Sequence, residues 1–202
     1  MILYSSAASP FVRKVLVALH DTGLIEKTDV QTVSVSPLNS GDLVPNANPL
    51  GKIPCLIRDD GKPLYDSRII TRYLASLAPD AMLYPNDDTL WDILTLEATI
   101  DGIMEATVAM SYEMRVRPAD KIFDGWLDAQ WLKITRALNH IESKSTEMLA
   151  TQPFMRKALV VALEYIDLRH DARNWRKSHP KLAYWHQENK DATSLKATRP
   201  QP

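Results

Sequence analysis

The first 78 residues contain short apolar runs and two segments with helical spacing of apolar residues, in an order that predicts an α/β domain. Ile2-Leu3-Tyr4 predicts a short strand. From Pro10 onward, apolar residues recur at the three- and four-residue spacing of a buried helical face, and Gly23 is placed to end that helix. The segment 28–35 alternates and predicts a second strand, with Val30, Val33 and Val35 on one face. A strand, a helix and a strand within about 35 residues is typical of a βαβ unit.

The segment Asn48–Ser67, NPLGKIPCLIRDDGKPLYDS, predicts a loop, a β-hairpin and the start of a helix. The apolar run Cys55–Ile57 is the first strand, and Asp60-Gly61 is a hairpin turn. We predict that Ser67 is the N-cap of the helix that follows. The apolar residues expected on the buried face of that helix are Ile69, Ile70, Tyr73, Leu74 and Leu77.

The remainder of the chain predicts helices. A stretch with two prolines at 79–86 is typical of a linker, so we expect an α/β domain at 1–78 and a helical domain at 87–202. Within the helical half, a segment that is apolar nearly all round, 154–168, is expected to be the central helix, and residues from Asp191 are expected to form an extended tail. The predicted helices are 89–116, 123–148, 154–168 and one beginning at His179-Pro180.

The composition of the chain limits the classes of partner, metal and compartment that we expect for it. The 202 residues carry a net charge of −1 and no basic patch, which argues against nucleic acid and anionic membrane as partners. The apolar runs are too short to span a bilayer. The single cysteine, Cys55, precludes an internal disulfide, and the cytoplasm is the expected compartment. The five histidines lack metal-ligand spacing, so we expect no metal and mostly surface positions for them.

Two neighbouring positions could together receive a small peptide. Because Pro54 cannot donate a hydrogen bond, the N–H and C=O of Ile53 could pair with an extended ligand, most readily if the bond between them is cis. The helix behind Ser67 could bind a carboxylate, and Asp66 an ammonium group. Taken singly, these features are equally consistent with a turn proline and an ordinary helix cap. Ser9, before Pro10, is likewise an N-cap on local sequence alone.

Motifs along essentially the whole chain resemble those of the glutathione S-transferase family. They include SPFVRKV at 9–15, NPLGKIPCL at 48–56 and YDSRIITRYL at 65–74. In the helical half, IDGIMEA at 100–106 and YEMRVRP at 112–118 resemble a bacterial, serine-type branch similar to tau- and theta-like members. The resemblance implies a thioredoxin-like N-terminal domain and an all-helical C-terminal domain, usually assembled as a homodimer.

The resemblance also implies roles for particular residues toward the co-substrate glutathione. Ile53 would pair its main chain with the cysteinyl part, and Pro54 would be the cis proline. Asp66 and Ser67 would bind the γ-glutamyl end, and Lys52 could reach the glycyl carboxylate. Ser9 would donate a hydrogen bond to the sulfur and thereby favour the thiolate.

Four further positions are open to two interpretations. Phe11, Met104 and Val108 could line a pocket for the electrophile, although apolar residues at helical spacing are more often core. Asp101 could reach the γ-glutamyl ammonium group across a homodimer interface, or could be a carboxylate that pairs helices.

The expected function is conjugation of glutathione to a small electrophile, as in detoxification. The alternative is a non-catalytic protein of the same fold, acting in ligand binding or the stress response. A thiol oxidoreductase would need a cysteine where Ser9 stands.

Overall fold

Four short strands form a mixed sheet in the order β2-β1-β3-β4. The strands β1 and β2 are parallel and are joined by helix α1, as the βαβ pattern predicts. The strand β3 is antiparallel to both of its neighbours, and β3 and β4 form the predicted hairpin. The bounds are β1 (Ile2–Ser5), α1 (Pro10–Asp21), β2 (Asp29–Thr32), α2 (Leu43–Ala47), β3 (Cys55–Ile57), β4 (Pro63–Leu64) and α3 (Ser67–Leu77).

This computed structural model describes residues 1–144 and 146–200. The chain divides into two compact units. The first comprises Met1–Pro85 and the segment that begins at Ala192, and the second is Asn86–Asp191. The first unit has the predicted thioredoxin-like order of strands and helices, and the second unit is predominantly helical.

The two faces of the sheet bury different residues because side chains alternate along a strand. Leu3 lies opposite Leu56 in the ladder, and both are fully buried. On the opposite face, Tyr4 is paired with Cys55 in a cluster that also contains Val44. Tyr4 and Cys55 are therefore core residues of the first unit.

Helix α7 is the central helix of the second unit, as its nearly uniform apolar sequence predicts. It packs against α4 and also against α6 and α9. Residues on every side of it are fully buried, which includes Met155, Val161 and Ile166. The bounds are α4 (Leu90–Val116), α5 (Asp124–Lys144), α6 (Thr146–Thr151), α7 (Pro153–His170), α8 (Trp175–Ser178) and α9 (Pro180–Asn189). The predicted helix 123–148 corresponds to α5 and the start of α6, and residue 145 lies outside the described residues.

The predicted extended tail is wrong. Residues Thr193–Ala197 form a tenth helix, α10, which packs against α1 in the first unit. Leu195 on this helix is fully buried. The sequence pattern failed because one apolar residue in a short polar segment gives no measurable period.

Two expectations about burial are also corrected. On α3 the buried residues are Ser67, Ile70, Thr71 and Leu74, whereas Ile69 and Leu77 are 48% and 47% exposed. Of the five histidines, three are buried in the second unit, namely His170, His179 and His186. No helix among the described residues has the length and apolar character that crossing a membrane requires.

Candidate functional site

The register between β1 and β3 brings two of the predicted site segments together. Tyr4 faces Cys55 as the last pair of this antiparallel ladder. Continuing the register by one residue places Ser5 beside Pro54. The loop that leaves Ser5 leads directly to Ser9 at the start of α1. The N-terminal end of α1 is thereby held next to the loop that precedes β3.

The register between β3 and β4 brings the third segment to the same place. Leu56 faces Leu64 in this hairpin. β4 ends at Leu64, and Asp66 follows two residues later, at the end of the sheet where β3 begins. The segments at Ser9, Ile53 and Asp66 therefore meet at one end of the small sheet, as the site interpretation requires.

The main chain at Ile53 is available to a ligand. The Ile53–Pro54 peptide bond is cis, and Ile53 is half-buried. Among residues 1–144 and 146–200, none forms a hydrogen bond with the N–H or the C=O of Ile53. A buried or half-buried main chain normally satisfies these groups, so their availability at a strand end is typical of a site for an added extended segment.

A clamp fixes the loop just before Ile53. The side chain of Asn48, which is 2% exposed, donates from Nδ2 to the Lys52 carbonyl oxygen at 2.8 Å. Its Oδ1 accepts a hydrogen bond from the Leu50 amide at 3.0 Å. Gly51 has a φ of 62°, and an added Cβ would lie 2.4 Å from the Oγ of Ser40. The loop thus depends on a buried amide at position 48 and on glycine at position 51.

The start of α3 differs by one residue from the prediction. The N-cap is Asp66, not Ser67, because the Asp66 Oδ1 accepts a hydrogen bond from the Arg68 amide at 3.0 Å. Ser67 is the first helical residue and is 2% exposed. No other described residue bonds to its amide N–H. The Oδ2 of Asp66 lies 3.4 Å from Nη2 of Arg68, so one arginine orients the carboxylate through both its main chain and its side chain.

Ser9 is the N-cap of α1, as predicted. Its Oγ accepts a hydrogen bond from the Val12 amide at 3.3 Å, and Pro10 occupies the first helical position. A hydroxyl that accepts one bond still has its proton to donate. The hydrogen bond that Ser9 Oγ accepts from the Val12 amide also polarises the hydroxyl and makes it a better donor. Capping α1 and donating to a ligand are therefore compatible roles.

The other predicted positions lie as follows. Lys52 is exposed and Phe11 is half-buried, both in the first unit. In the second unit, Met104 is fully buried on α4 and Val108 is half-buried. Asp101, on the same helix, is 1% exposed. The pocket and the cross-subunit role remain predictions.

The one cysteine is held in an unreactive state. Cys55 is fully buried on β3, and burial raises the pKa of its thiol to about 11. A thiol that stays protonated is a poor nucleophile. Among the described residues no group of three histidine, cysteine or acidic side chains is placed to hold a metal ion.

Comparison with known proteins identifies the family. A model of the glutathione S-transferase N-terminal domain matches residues 3–82. The uncharacterized GST-like protein YibF of Escherichia coli K12 is 33% identical over 187 residues, which cover 90% of this chain and 90% of YibF. This chain belongs to the glutathione S-transferase family.

Solved structures of other family members carry glutathione. A member from Pseudomonas fluorescens Pf-5, crystallised with bound glutathione, is 41% identical with a TM-score of 0.96, and the match covers 100% of this chain and 99% of that one. A crystal structure from the same organism with bound S-(propanoic acid)-glutathione is 41% identical over 100% of both chains, with a TM-score of 0.91. Similar proteins of this family thus bind glutathione or an S-substituted glutathione.

Two features of the site were missed from sequence. The local pattern indicates no role for Asn48 or Arg68. Arg68 carries a signal, since it follows the predicted contact Asp66 by two residues. Asn48 lies four residues before Lys52, and nothing in the sequence indicates that its side chain bonds to the Lys52 carbonyl.

Proposed function

We propose that this protein is a glutathione S-transferase that joins the glutathione thiolate to a small electrophile, as a serine-type member of the family. The observation that carries the proposal is the main chain of Ile53, which has both hydrogen-bonding groups available beside the capped starts of α1 and α3. This arrangement offers an extended peptide partner at Ile53 and polar partners on either side of it.

Glutathione fits these groups segment by segment. Its cysteinyl N–H and C=O pair with the C=O and N–H of Ile53, as an added strand would. Its γ-glutamyl carboxylate accepts from the amide and hydroxyl of Ser67, at the positive end of α3, and its ammonium group lies against Asp66. The exposed Lys52 attracts the glycyl carboxylate.

Ser9 promotes the reaction through the charge of the sulfur. A free thiol is mostly protonated at neutral pH. The Ser9 hydroxyl donates to the sulfur, and the N-terminus of α1 adds a favourable field of about 0.3–1 kcal/mol, so the thiol pKa falls and its proton is released to solvent. The thiolate then attacks the electrophilic carbon, a C–S bond forms, and the leaving group departs with the electron pair of the broken bond. Ser9 acts as a hydrogen-bond donor and forms no covalent intermediate.

The decisive experiment separates the cap from the donor at position 9. Ser9→Asp keeps a good N-cap acceptor but has no hydroxyl proton at neutral pH and brings a negative charge toward the thiolate. Ser9→Ala loses both roles. If Ser9 is the donor, both variants lose about 10- to 100-fold in kcat for conjugation of an aryl halide, since a hydrogen bond to a charged group contributes roughly 1.5–3 kcal/mol. If Ser9 is only a cap, Ser9→Ala lowers the stability and keeps the wild-type kcat at a temperature at which the variant is folded.

Ser6→Ala is the companion variant, because Ser6 supplies another half-buried hydroxyl in the same loop. We expect it to keep the activity of the wild type. Loss of activity in Ser6→Ala with retention in Ser9→Ala would move the donor to residue 6. Glutathione binding without turnover in the wild type would favour a non-catalytic, ligand-binding function.

The assembly and the compartment complete the proposal. We place the protein in the cytoplasm as a homodimer, in which Asp101 of α4 contributes to the γ-glutamyl site of the second subunit. Sedimentation of the wild type tests the dimer. Loss of glutathione affinity in Asp101→Asn, with the dimer intact, tests the shared site.

A further inference from the structure

We infer that Asn48 is a positioning residue for glutathione, one that aims the Ile53 N–H at the cysteinyl carbonyl; this inference rests on the proposed function. Asn48 lies four residues before Lys52, on the loop that leads from α2 to β3. Its carboxamide is buried beneath that loop and bonds to main-chain groups on either side of Gly51.

The geometry of one peptide unit carries the argument. The Lys52 C=O and the Ile53 N–H belong to the same planar peptide group, whose bond is trans. In a trans peptide these two groups point in opposite directions. The bond of 2.8 Å from Asn48 Nδ2 therefore fixes the Lys52 carbonyl on the inner side of the loop and the Ile53 N–H on the outer side.

Every other polar group of Asn48 is also engaged. Its amide donates to the Val44 carbonyl at 2.7 Å, and its carbonyl accepts from the Gly51 amide at 2.8 Å. Its Oδ1 accepts from Leu50. The residue is thus held by four hydrogen bonds, and its Nδ2 cannot turn away from Lys52 without leaving a buried donor or acceptor unpaired.

The inference predicts which kinetic constant changes. Asn48 acts on the peptide that binds the glutathione main chain, whereas Ser9 acts on the sulfur. Loss of the Nδ2 donor should raise the KM and Kd for glutathione about tenfold or more and leave kcat at saturating glutathione within about threefold, since one misdirected hydrogen bond contributes of that order. The pH dependence of kcat should be that of the wild type.

Three variants isolate the donor. Asn48→Asp keeps an acceptor for the Leu50 amide but places a carboxylate oxygen against the Lys52 carbonyl. Asn48→Ala removes both bonds. Asn46→Ala is the matched control, because Asn46 is exposed on α2, two residues before Asn48, and its side chain forms no hydrogen bond with the described residues. Thermal unfolding of each variant reports any loss of stability separately from binding.

Calorimetric titration with glutathione and steady-state kinetics then test whether Asn48 has the positioning role. We expect weakened binding in Asn48→Asp and Asn48→Ala, with Asn46→Ala unchanged. Wild-type affinity in a folded Asn48→Asp variant would overturn the inference and leave the proposed function intact. Failure of the wild type to bind glutathione would instead refute the proposed function.

Nuclear magnetic resonance of the wild-type protein tests the same role independently of how the variants fold. In a labelled sample, a through-hydrogen-bond coupling should join Nδ2 of Asn48 to the carbonyl carbon of Lys52, with and without glutathione. The Ile53 amide proton should shift downfield when glutathione is added. Absence of the coupling, or an Ile53 amide that does not move although titration detects binding, would overturn the positioning role.

Discussion

The guanidinium group of Arg13 donates a hydrogen bond from Nη2 to the main-chain carbonyl oxygen of Leu195 at 3.3 Å. This contact joins α1 to α10 across 182 residues of sequence. Both residues are buried, Leu195 completely. The helix whose first turn carries the proposed catalytic hydroxyl is therefore supported by the last helix of the chain.

Leu195→Ala is expected to destabilise the protein by about 2–4 kcal/mol, because it removes a fully buried side chain and leaves a cavity beside α1. Denaturant unfolding followed by circular dichroism measures this loss. Thr193→Ala is the control, since Thr193 is exposed on the same helix and should change stability by less than about 0.5 kcal/mol. Equal stability of the two variants would contradict a structural role for α10.

Asp66→Asn is expected to raise the KM for glutathione roughly tenfold with little change in stability. The amide oxygen still accepts the cap bond from Arg68, but the charge that would face the ligand ammonium group is gone. The pair of Asp66 and Arg68 is partly exposed and contributes only about 0–1 kcal/mol to folding.

The control for this prediction is Asp60→Asn. Asp60 also accepts a bond from the amide two residues later, that of Lys62, and is paired with Arg58. It lies in the hairpin turn away from the proposed site. A similar rise in KM for both variants would indicate a general charge effect.

Cys55 is expected to be inert toward a disulfide reagent in the native protein. Its thiol is fully buried and, with a pKa of about 11, stays protonated up to about pH 10. Titration at pH 8 should detect no reactive thiol before unfolding and one after it. Cys55→Ala should keep the wild-type rate in the conjugation assay within about twofold, and a thiol that reacts before unfolding would contradict the prediction.

We expect the protein to be less stable in mild acid because of the buried imidazole of His170. Burial lowers the pKa of its imidazole, opposed by the bond to the Thr107 carbonyl and reinforced by the nearby Arg173 and Arg169. Its Nε2 lies 3.1 Å from that carbonyl and 3.2 Å from the Ser111 hydroxyl. Since the carbonyl can only accept, Nε2 carries the proton of the neutral ring.

Proton linkage gives the direction in which the free energy of unfolding changes with pH. Because the folded-state pKa of His170 lies below the unfolded value of about 6.5, the unfolded chain binds more protons, and the free energy of unfolding falls as the pH drops through that range. Denaturant unfolding at pH 8, 6.5 and 5 should show a steeper fall in the wild type than in His170→Gln. Parallel profiles would exclude His170 as the source.

The start of α7 can be improved. Gln152 is the N-cap residue and forms no side-chain cap bond. Gln152→Ser supplies a short hydroxyl for the Met155 amide and should stabilise the protein by about 0.5–1 kcal/mol. A higher midpoint in thermal unfolding is the expected result, with Gln152→Ala giving no gain.

Local chemistry explains which parts of the fold and site could be predicted. Ser9-Pro10 marks the start of α1 and Asp60-Gly61 the hairpin turn, because each signal acts on neighbouring backbone groups only. The apolar period of the N-terminal segments was sufficient for the βαβ order.

Contacts distant in sequence explain the errors. His179 is buried because its ring bonds to Asn139, 40 residues away, and to the Trp175 carbonyl. Ile69 is exposed because the face of α3 that packs inward is centred on Ile70 and Leu74. Neither partner can be inferred from the local pattern.

The discontinuity of the first unit has a consequence for how the protein is made. The segment that begins at Ala192 leaves the ribosome about 100 residues after Pro85, a delay of roughly 5–20 s at usual rates of synthesis. During that interval the surface of α1 that later packs against Leu195 is not covered by α10, so apolar side chains of α1 stay exposed on the growing chain.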